Sequence, residues 1–289
     1  METQIALLKK YGFSVRGASG QHLLIDPNVQ RKIVAAALLQ PSEKVLEIGP
    51  GLGALTQWIL ENGHQVLAVE KDERFVRVLE GELAGDFRKK FRIFHEDFLE
   101  FDPSKWIPEK DKGSWVVMSN LPYYITAPLL FRVLEFRRYF SRAILMMQKE
   151  VADRLLAMPG SKDYGRLTLG VRYAAAVRHL FDVSPACFTP KPEVDSAVVE
   201  LSFHPKIAFP AKIDEEFLFH VIQVAFSHRR KTFLKLLAED ARTGLSREKL
   251  AIIFSELKLE PNIRGESLLL KDFIDLALAL LNARLPPAC

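Results

Sequence analysis

The sequence predicts an α/β fold, in which a mostly parallel sheet carries helices on both faces, ends in an antiparallel hairpin and is followed by a small all-α domain. From residue 44 onward, short β-rich runs alternate with helical stretches, as expected for a parallel sheet. Later, VRHLFDVS (177–184) and SAVVELSFH (196–204) are strands whose connection holds three prolines and no helix, which indicates a hairpin. After Asp214, apolar residues recur only at helical spacing.

The first predicted strand is VLEI (45–48), and a helix from about Ala54 to Asn62 follows it across a glycine-rich turn. The next elements repeat this order because apolar, β-branched runs are each followed by an amphipathic stretch. Strands are predicted at 65–70, 91–97, 115–120 and 142–148, and helices at 29–39, 71–83, 126–136 and 149–158. Pro205 and Pro210 end the pattern, so we expect a first domain at 1–205 and a helical domain at 206–289.

The composition is that of an ordinary globular protein. The chain has 289 residues, of which 48% are hydrophobic and 26% charged. No apolar run is long enough to span a bilayer, and the start, METQIALLKKYGF, lacks the apolar core of a signal peptide. The two cysteines, Cys187 and Cys289, lie far apart without ligand spacing. We therefore expect a cytoplasmic protein without a metal site.

The charge distribution favours a polyanionic partner. The net charge is only +4, with a pI of about 8.9, but basic residues are clustered. The stretch between Glu216 and Glu239 contains no acidic residue, and further basic runs lie at RKKFR (88–92) and RRYFSR (137–142). The basic residues of the acid-free stretch are His228, Arg229, Arg230, Lys231 and Lys235. We expect this part of the helical domain to bind nucleic acid.

The turn after the first strand predicts a nucleotide-type cofactor. LEIGPGLGALT (46–56) places Gly49, Gly51 and Gly53 where a ligand can approach a helix N-terminus closely. Glu70 ends the second strand, where a carboxylate can accept both hydroxyl groups of a ribose. With Ala54, the same glycines also match the dinucleotide fingerprint, so a nicotinamide-dependent oxidoreductase remains an alternative at this point.

Three features favour S-adenosylmethionine over a dinucleotide. Glu47 places a carboxylate beside the pocket, which suits a ligand with an ammonium group and does not suit a pyrophosphate. Asp97, at the end of the third strand, can accept from the exocyclic amine of an adenine. The antiparallel hairpin is also more typical of methyltransferases.

The stretch SNLPYYIT (119–126) follows a buried strand and predicts how an acceptor base is held. Pro122 restrains Leu121 to an extended conformation, which leaves the Asn120 side-chain oxygen and a main-chain carbonyl free to point into the cleft. Tyr123 adds a flat face on which a base can stack. Two acceptors on an exocyclic amine would aim its lone pair at an incoming methyl group, so positioning does most of the catalytic work.

Over nearly its whole length the chain resembles the ribosomal RNA adenine N6,N6-dimethyltransferases, the kasugamycin-sensitivity enzymes. Nine pieces match in order and spacing: GQHLLID, LEIGPGLGALT, VEKD, HEDFLEFD, NLPYYIT, PGSKDYGRL, FTPKPEVDSAVVEL, AFSHRRKT and IRGESLLLKDF. The resemblance implies a Rossmann-like class I methyltransferase sheet and transfer of two methyl groups from S-adenosylmethionine to each of two adjacent adenines. It places those adenines in the hairpin loop near the 3′ end of small-subunit rRNA, modified late in subunit assembly.

Carried over by position, the resemblance also implies the site residues. Asn120, Leu121, Pro122 and Tyr123 would form the catalytic motif, and Phe188 in the FTPKP loop would be the opposite wall of a base sandwich with Tyr123. Arg229, Arg230 and Lys231 would contact RNA. The cofactor contacts would be His22, Leu24, Gly49, Gly51, Glu70, Asp97 and Asn120.

Two departures from the family pattern concern single positions. His22 stands where the family usually has Asn, and Leu234 and Lys235 replace an Arg and an Asn after RRKT. The alternatives are a large-subunit rRNA methyltransferase of the macrolide-resistance type, a non-enzymatic transcription-factor role and the nicotinamide enzyme. We expect a monomer whose partner is small-subunit rRNA in an immature subunit, with no membrane association.

Overall fold

The computed structural model describes residues 2–13, 22–204, 213–228 and 230–284, except for the side chains of Ala84 and Asp86. The chain forms two compact units, Met1–Ala152 with Ala175–Pro205, and Asp153–Ala174 with Lys206–Cys289. No helix among the described residues is long and apolar enough to cross a membrane.

The first unit is built on a seven-stranded sheet and a separate two-stranded one. The strands are β1 (Leu23–Leu24), β2 (Lys44–Ile48), β3 (Gln65–Glu70), β4 (Phe91–His95), β5 (Trp115–Asn120), β6 (Phe140–Gln148), β7 (Ala175–Val183), β8 (Phe188–Thr189) and β9 (Ser196–Phe203). The large sheet has the order β4-β3-β2-β5-β6-β9-β7, and β1 pairs with β8. The first five strands of this order, β4, β3, β2, β5 and β6, are parallel. Strand β9 is antiparallel to both β6 and β7. The predicted fold class is confirmed.

Apart from α1, which precedes β1, the helices of this unit each follow a strand in sequence. They are α1 (Gln4–Lys10), α2 (Pro27–Ala36), α3 (Thr56–Glu61), α4 (Glu73–Phe87), α5 (Thr126–Glu135) and α6 (Lys149–Leu156), the last extending beyond Ala152. Residues at their N-termini explain where two of them begin: Asp26 caps α2 and Asp72 caps α4, each accepting main-chain N–H groups. Helix α1 was not predicted from the sequence.

The core of the first unit lies on the central strands. Val45, Val116, Ile144 and Val198 come from β2, β5, β6 and β9, and each is at most 1% exposed. Strands buried on both faces are apolar along most of their length, which explains why their positions could be predicted from the sequence. Parallel strands also bring their carboxyl ends to one edge, so the residues that end or follow β2, β3, β4 and β5 lie close together.

The second unit is helical. It contains α7 (Arg166–Ala174), α8 (Glu215–Ala225), α9 (Phe233–Glu239), α10 (Arg247–Glu256) and α11 (Leu270–Arg284). Their apolar faces enclose a core that includes Phe217, Phe233, Phe254 and Phe273, each at most 2% exposed. This is the small all-α domain that the spacing of apolar residues predicts after Asp214.

The structure divides the chain differently from the sequence-based boundary at 205/206. Residues 153–174, which the sequence assigns to the first domain, group with the second unit. The reason is the packing of α7, since Leu169 and Tyr173 belong to the core of the helical unit. The Tyr173 hydroxyl also lies 3.0 Å from a carboxylate oxygen of Glu215 at the start of α8.

Candidate active site

The glycine-rich turn after β2 has a backbone that only glycine adopts readily. Gly49, Gly51 and Gly53 have φ values of +62°, +57° and +77°. A Cβ atom at Gly51 would lie 3.2 Å from a Leu23 methyl carbon, whereas one at Gly49 would meet no described atom within 4 Å. Gly49 therefore faces open space, as the cofactor prediction requires of this turn.

Glu70 is held by the main chain at the end of β3. Its side chain is buried, and its two oxygens accept from the Gly51 N–H at 3.0 Å and the Asp72 N–H at 2.9 Å. Burial raises the pKa of this carboxyl group, and these hydrogen bonds act in the opposite direction. A carboxylate has about four lone-pair positions, so two remain for the hydroxyl groups of a ribose.

Asp97 lies on the other side of the same opening, two residues after β4. One of its oxygens is 2.7 Å from the Lys71 ammonium group, and the other accepts from the Leu99 N–H at 3.0 Å. Burial by itself would raise the pKa of Asp97, but the hydrogen bond from Lys71 and that from Leu99 outweigh it, so the pKa is lowered. Asp97 is thus an ionised acceptor. Sequence reasoning had not assigned a role to Lys71.

A cavity of about 480 Å³ lies between these acids and the start of α5. Gly49, Glu70, Lys71, Asp97 and Tyr124 all contribute to its wall. Its volume falls within the range of small-molecule sites, roughly 300–1,000 Å³. The cavity can therefore accommodate a nucleoside, with carboxylates available for a ribose and for an exocyclic amine.

A second, smaller cavity of about 30 Å³ also borders Gly49. Its wall includes Gln4, Leu23, Glu47 and Asn120. Glu47 is 2% exposed and accepts from the Thr56 hydroxyl at 2.7 Å. Burial, with a smaller contribution from the charge of Glu70, raises the pKa of Glu47 to about 8. The carboxyl group that the sequence places beside the pocket is thus buried next to it.

Asn120 is oriented by the segment that precedes β1. Its amide nitrogen donates to the His22 carbonyl oxygen at 3.0 Å, which turns the side-chain oxygen in the other direction. Leu121 donates its N–H to the Met146 carbonyl oxygen at 2.9 Å, and within the described part of the chain its own carbonyl oxygen accepts no hydrogen bond. The Pro122 carbonyl oxygen already accepts from Thr126. The two acceptors that the sequence predicts are therefore the Asn120 side chain and the Leu121 carbonyl group.

Tyr123 is half-buried and fixed at both its ring and its hydroxyl group. The hydroxyl lies 2.5 Å from the Ser196 hydroxyl, and burial raises the pKa of the tyrosine. One face of the ring lies against the His22 imidazole, with ring centres 5.2 Å apart and planes inclined by 31°. A base could stack only on the other face. The neighbouring Tyr124 is 60% exposed and borders the larger cavity, which the sequence did not indicate.

His22 directly precedes β1, and Leu24 is its last residue. The His22 Nδ1 atom is 2.7 Å from the Pro190 carbonyl oxygen, and because a carbonyl can only accept, Nδ1 carries the proton. Leu24 is buried and pairs with Phe188. The pairing joins two segments, GQHLLID and FTPKP, that are far apart in the sequence; of GQHLLID, residues 20 and 21 lie outside the described residues.

The expected role of Phe188 as a wall of a base sandwich is not supported by the structure. Its side chain is 3% exposed and packs in the core of the first unit. The reason is the pairing of β8 with β1, which turns this side chain inward beside Leu24. The aromatic group that contacts Tyr123 is His22 instead.

The structure shows which of the predicted RNA-contacting side chains are paired with an acidic residue. Arg230 is exposed and has no acidic partner among the described residues, whereas the Lys231 ammonium group lies 2.8 Å from Glu239. Arg229 lies outside the described residues. Of the other basic runs, RRYFSR includes Arg142, which donates to Glu43 and to the Ala37 carbonyl oxygen, so that run has a structural role in part.

Comparisons with known proteins agree on one family. The profile of the family described as ribosomal RNA adenine dimethylase matches residues 12–267. A protein named ribosomal RNA small subunit methyltransferase A, from Geobacillus sp. (strain WCH70), is 39% identical over 278 residues, or 95% of this chain and 94% of that protein.

Two solved structures are similar over most of the chain. A crystal structure of a dimethyladenosine transferase from Plasmodium falciparum has a TM-score of 0.77 at 26% identity and covers 90% of this chain and 98% of that one. The crystal structure of the 23S rRNA methyltransferase ErmE has a TM-score of 0.66 at 22% identity and covers 89% of this chain and 99% of that one, a likeness of fold alone. The resemblance drawn from the nine sequence pieces is confirmed. Because the profile and the relative both span nearly the whole chain, the protein belongs to the ribosomal RNA adenine dimethylase family.

Proposed function

We propose that the protein transfers methyl groups from S-adenosylmethionine to N6 of two adjacent adenines in the 3′-terminal hairpin loop of small-subunit rRNA. The products would be N6,N6-dimethyladenosines, formed in the cytoplasm during ribosome biogenesis by a monomer acting on an immature subunit. Besides family membership, one observation carries this proposal. The fixed Asn120 amide lies beside cavities suited to a nucleoside with an amino-acid end, next to a Leu121 carbonyl that accepts no hydrogen bond from the described residues.

The polar groups present fit S-adenosylmethionine. Glu70 would accept from the ribose hydroxyl groups and Asp97 from the adenine amine, both in the larger cavity. Gly49 would lie between the nucleoside and the amino-acid end, and Glu47 would accept from the ammonium group in the smaller cavity. When bound, the sulfonium supplies a methyl group that is already activated for transfer. The chain then needs to position an acceptor and has no need of a strong base.

Asn120 and Leu121 would position the acceptor nitrogen. An exocyclic amine donates its lone pair to the ring and is a weak nucleophile. If the Asn120 side-chain oxygen and the Leu121 carbonyl each accept one N–H bond, the nitrogen is drawn toward tetrahedral geometry and its lone pair is directed at the donor. Pro122 would fix this turn, and the face of Tyr123 that points away from His22 would hold the adenine ring by stacking, worth roughly 1–3 kcal/mol.

The entry of the target adenine into the cleft and the affinity for the RNA backbone would depend on different parts of the protein. A base within a helix cannot enter such a cleft, so the target adenines must lie in a loop or be flipped out. In the helical domain, Arg230 would contact backbone phosphates together with the neighbouring Arg229 and Lys231. These contacts would give an affinity that falls steeply with salt.

The test is methylation of small subunits that lack the modification. With labelled S-adenosylmethionine, the wild-type protein should label small-subunit RNA, and nucleoside mapping should find N6,N6-dimethyladenosine near the 3′ end. Label in large-subunit RNA instead would favour the macrolide-resistance type of enzyme and contradict the proposal.

Asn120→Ala tests the role of the amide. We expect a loss of methylation of at least about 100-fold, since a positioning and hydrogen-bonding group of this kind typically contributes that much. The affinity for S-adenosylhomocysteine should change little. Ser104→Ala, at an exposed turn of the same unit, is the matched control. Methylation at the wild-type rate in Asn120→Ala would remove the mechanism.

A further inference from the structure

We propose that Gln4, in helix α1, is a further residue of the donor site, whose side-chain amide donates to the carboxylate at the amino-acid end of the methyl donor. This inference rests on the proposed function and extends it to a residue that the family motifs do not include. Gln4 borders the smaller cavity together with Glu47, Gly49 and Asn120. It is 3% exposed, so almost none of its side chain reaches bulk solvent.

Helix α1 is held firmly against the glycine-rich turn and α4. Leu7 is fully buried in a cluster with Leu52 of the turn and with Phe75 and Val78 of α4. At the other end of α1, Glu82 accepts from the Lys10 ammonium group at 2.8 Å and from the Tyr11 hydroxyl at 2.7 Å. These contacts hold the helix that carries Gln4 against the cavity.

The direction of the Gln4 amide follows from a hydrogen-bonded relay. The Trp58 indole N–H can only donate, and it lies 3.0 Å from one end of the Gln30 amide, which must therefore be the oxygen. The Gln30 nitrogen then donates to Gln4 at 2.8 Å and to the Leu24 carbonyl oxygen at 2.8 Å. The Gln4 atom that accepts must be its oxygen, so its other atom is the NH₂ group.

The Gln4 NH₂ group makes no hydrogen bond to a described residue, and it is not among the fully buried polar atoms without a partner, so it is open to the cavity. A donor on the wall of a small cavity is satisfied by water or by a ligand. Because the relay starts from a group that cannot accept, the amide cannot be reversed without leaving the Trp58 or the Gln30 donor unsatisfied. The cavity therefore has a fixed donor on its wall.

The remaining polar groups complete the pattern that an α-amino acid requires. Glu47 is the acidic group of the same cavity and can accept from an ammonium group, while Gln4 can donate to a carboxylate. The volume of about 30 Å³ suits one or two small polar groups and is too small for a ring. The geometry matches the charged end of the donor, with the nucleoside in the larger cavity.

Two nucleosides that differ only at this end provide the test. S-Adenosylhomocysteine carries the amino acid, whereas 5′-methylthioadenosine keeps the adenosine and the sulfur but lacks it. Binding of each to the full-length protein is measured by isothermal titration calorimetry. For Gln4→Ala we expect about tenfold weaker binding of S-adenosylhomocysteine, the usual loss for one hydrogen bond to a charged group, and unchanged binding of 5′-methylthioadenosine. Gln4→Glu should weaken the binding of S-adenosylhomocysteine further, because the introduced carboxylate would face the carboxylate of the ligand.

Two more variants separate this role from the stability of α1. Thr3→Ala removes the cap of α1, where the Thr3 hydroxyl accepts from the Ala6 N–H, but leaves Gln4 in place, so the ratio of the two affinities should not change. Gln30→Met removes the relay at a residue that does not itself line the cavity, although Gln30 donates to Gln4 and Leu24, which do. It should lower the affinity for S-adenosylhomocysteine several-fold and leave that for 5′-methylthioadenosine unchanged.

The outcomes are distinct. Unchanged S-adenosylhomocysteine affinity in Gln4→Ala and Gln4→Glu, or an equal loss for both nucleosides, would overturn the role of Gln4 while leaving the donor site intact. If the wild-type protein bound neither nucleoside, the donor site of the proposed function would itself be wrong.

Discussion

At the scale of single residues, two buried carboxyl groups at the end of neighbouring strands differ in how they are stabilised. The two oxygens of Glu70 accept main-chain N–H groups of two residues, whereas the hydrogen bonds to Glu47 come from the hydroxyl group and the main-chain N–H of one residue, Thr56. Burial raises the pKa of both, that of Glu47 to about 8. Glu47 is therefore mostly protonated at neutral pH when no ligand is bound, and binding of an ammonium group there favours loss of its proton.

The raised pKa of Glu47 predicts how stability changes with pH. In the unfolded chain this group titrates near its ordinary value of 4.5, so between pH 4.5 and about 8 the folded protein binds the extra proton. Its contribution to stability is fully present below pH 4.5 and is lost as the pH rises through about 8. Glu47→Gln should remove this loss, so that by pH 8 the variant melts about 3 °C or more above the wild type, measured by differential scanning calorimetry without ligand.

Glu43→Gln is the comparison variant, because folding lowers the pKa of Glu43 and raises that of Glu47. Burial opposes ionisation of Glu43, but the hydrogen bonds from Arg142 and the Gln40 N–H outweigh it and lower the pKa. Its stabilising effect is present above pH 4.5 and lost as the pH falls further. Glu43→Gln should therefore melt below the wild type at pH 8. A melting temperature of Glu47→Gln that declines with pH as steeply as that of the wild type would contradict the buried, protonated state.

At the scale of helices, the IRGESL segment has a close contact that depends on glycine. A Cβ atom at Gly265 would lie 2.5 Å from the Ala225 Cβ and 2.8 Å from the Ala225 carbonyl oxygen, at the end of α8. Its φ is not positive, so space and not backbone conformation requires glycine here. Gly265→Ala should destabilise the helical unit by about 1–3 kcal/mol, as overpacking does. Thermal unfolding followed by circular dichroism measures this.

Gly85→Ala is the matched control for Gly265→Ala. Gly85 lies within α4, and a Cβ atom there would meet no described atom within 4 Å. The substitution should be neutral or stabilise by up to about 1 kcal/mol, because alanine loses less conformational entropy in a helix. If Gly265→Ala melted like Gly85→Ala, the close approach at Ala225 would not be a constraint on the fold.

Only some of the helices and strands could be predicted from the sequence, because only some have a distinctive local pattern. The strands that carry Glu70 and Asn120 are apolar runs that end in a polar residue, so the sequence identifies both the strands and these two polar residues. The helix with Gln4 gave no such signal, since its short apolar pattern could belong to any surface helix. Contacts between distant segments, such as Tyr123 with Ser196 or Phe188 with Leu24, depend on tertiary pairing that local patterns do not encode.

At the scale of the whole molecule, the division into units is set by packing and not by order along the chain. Residues 153–174 are flanked on both sides by parts of the first unit, yet their apolar side chains belong to the core of the second. A boundary drawn from a change of pattern at Pro205 cannot detect a segment that returns, because α7 has the same helical spacing in either unit. The charged residues, in contrast, can be counted from the sequence, but which of them form ion pairs depends on the tertiary structure.

The pairing of charges gives the last prediction, which concerns RNA affinity. Lys231 is paired with Glu239, whereas Arg230 is exposed without a described acidic partner, so Arg230 is the better candidate for a phosphate contact. Arg230→Glu should weaken binding to small-subunit rRNA and reduce the slope of log K against log salt concentration by about 1, as expected when one phosphate contact is lost. Fluorescence anisotropy at several salt concentrations measures both.

Lys9→Glu separates a local contact from the overall charge. Lys9 is exposed on α1, and its reversal changes the net charge by the same two units, from +4 to +2. If Arg230 contacts a phosphate directly, the loss of rRNA affinity in Lys9→Glu should be the smaller of the two, because charges that act only through the net charge are largely screened at 0.1 M salt. An equal loss of rRNA affinity in both variants would mean that the affinity depends only on the net charge of the protein. An unchanged slope in Arg230→Glu would make Arg230 an ordinary solvated residue.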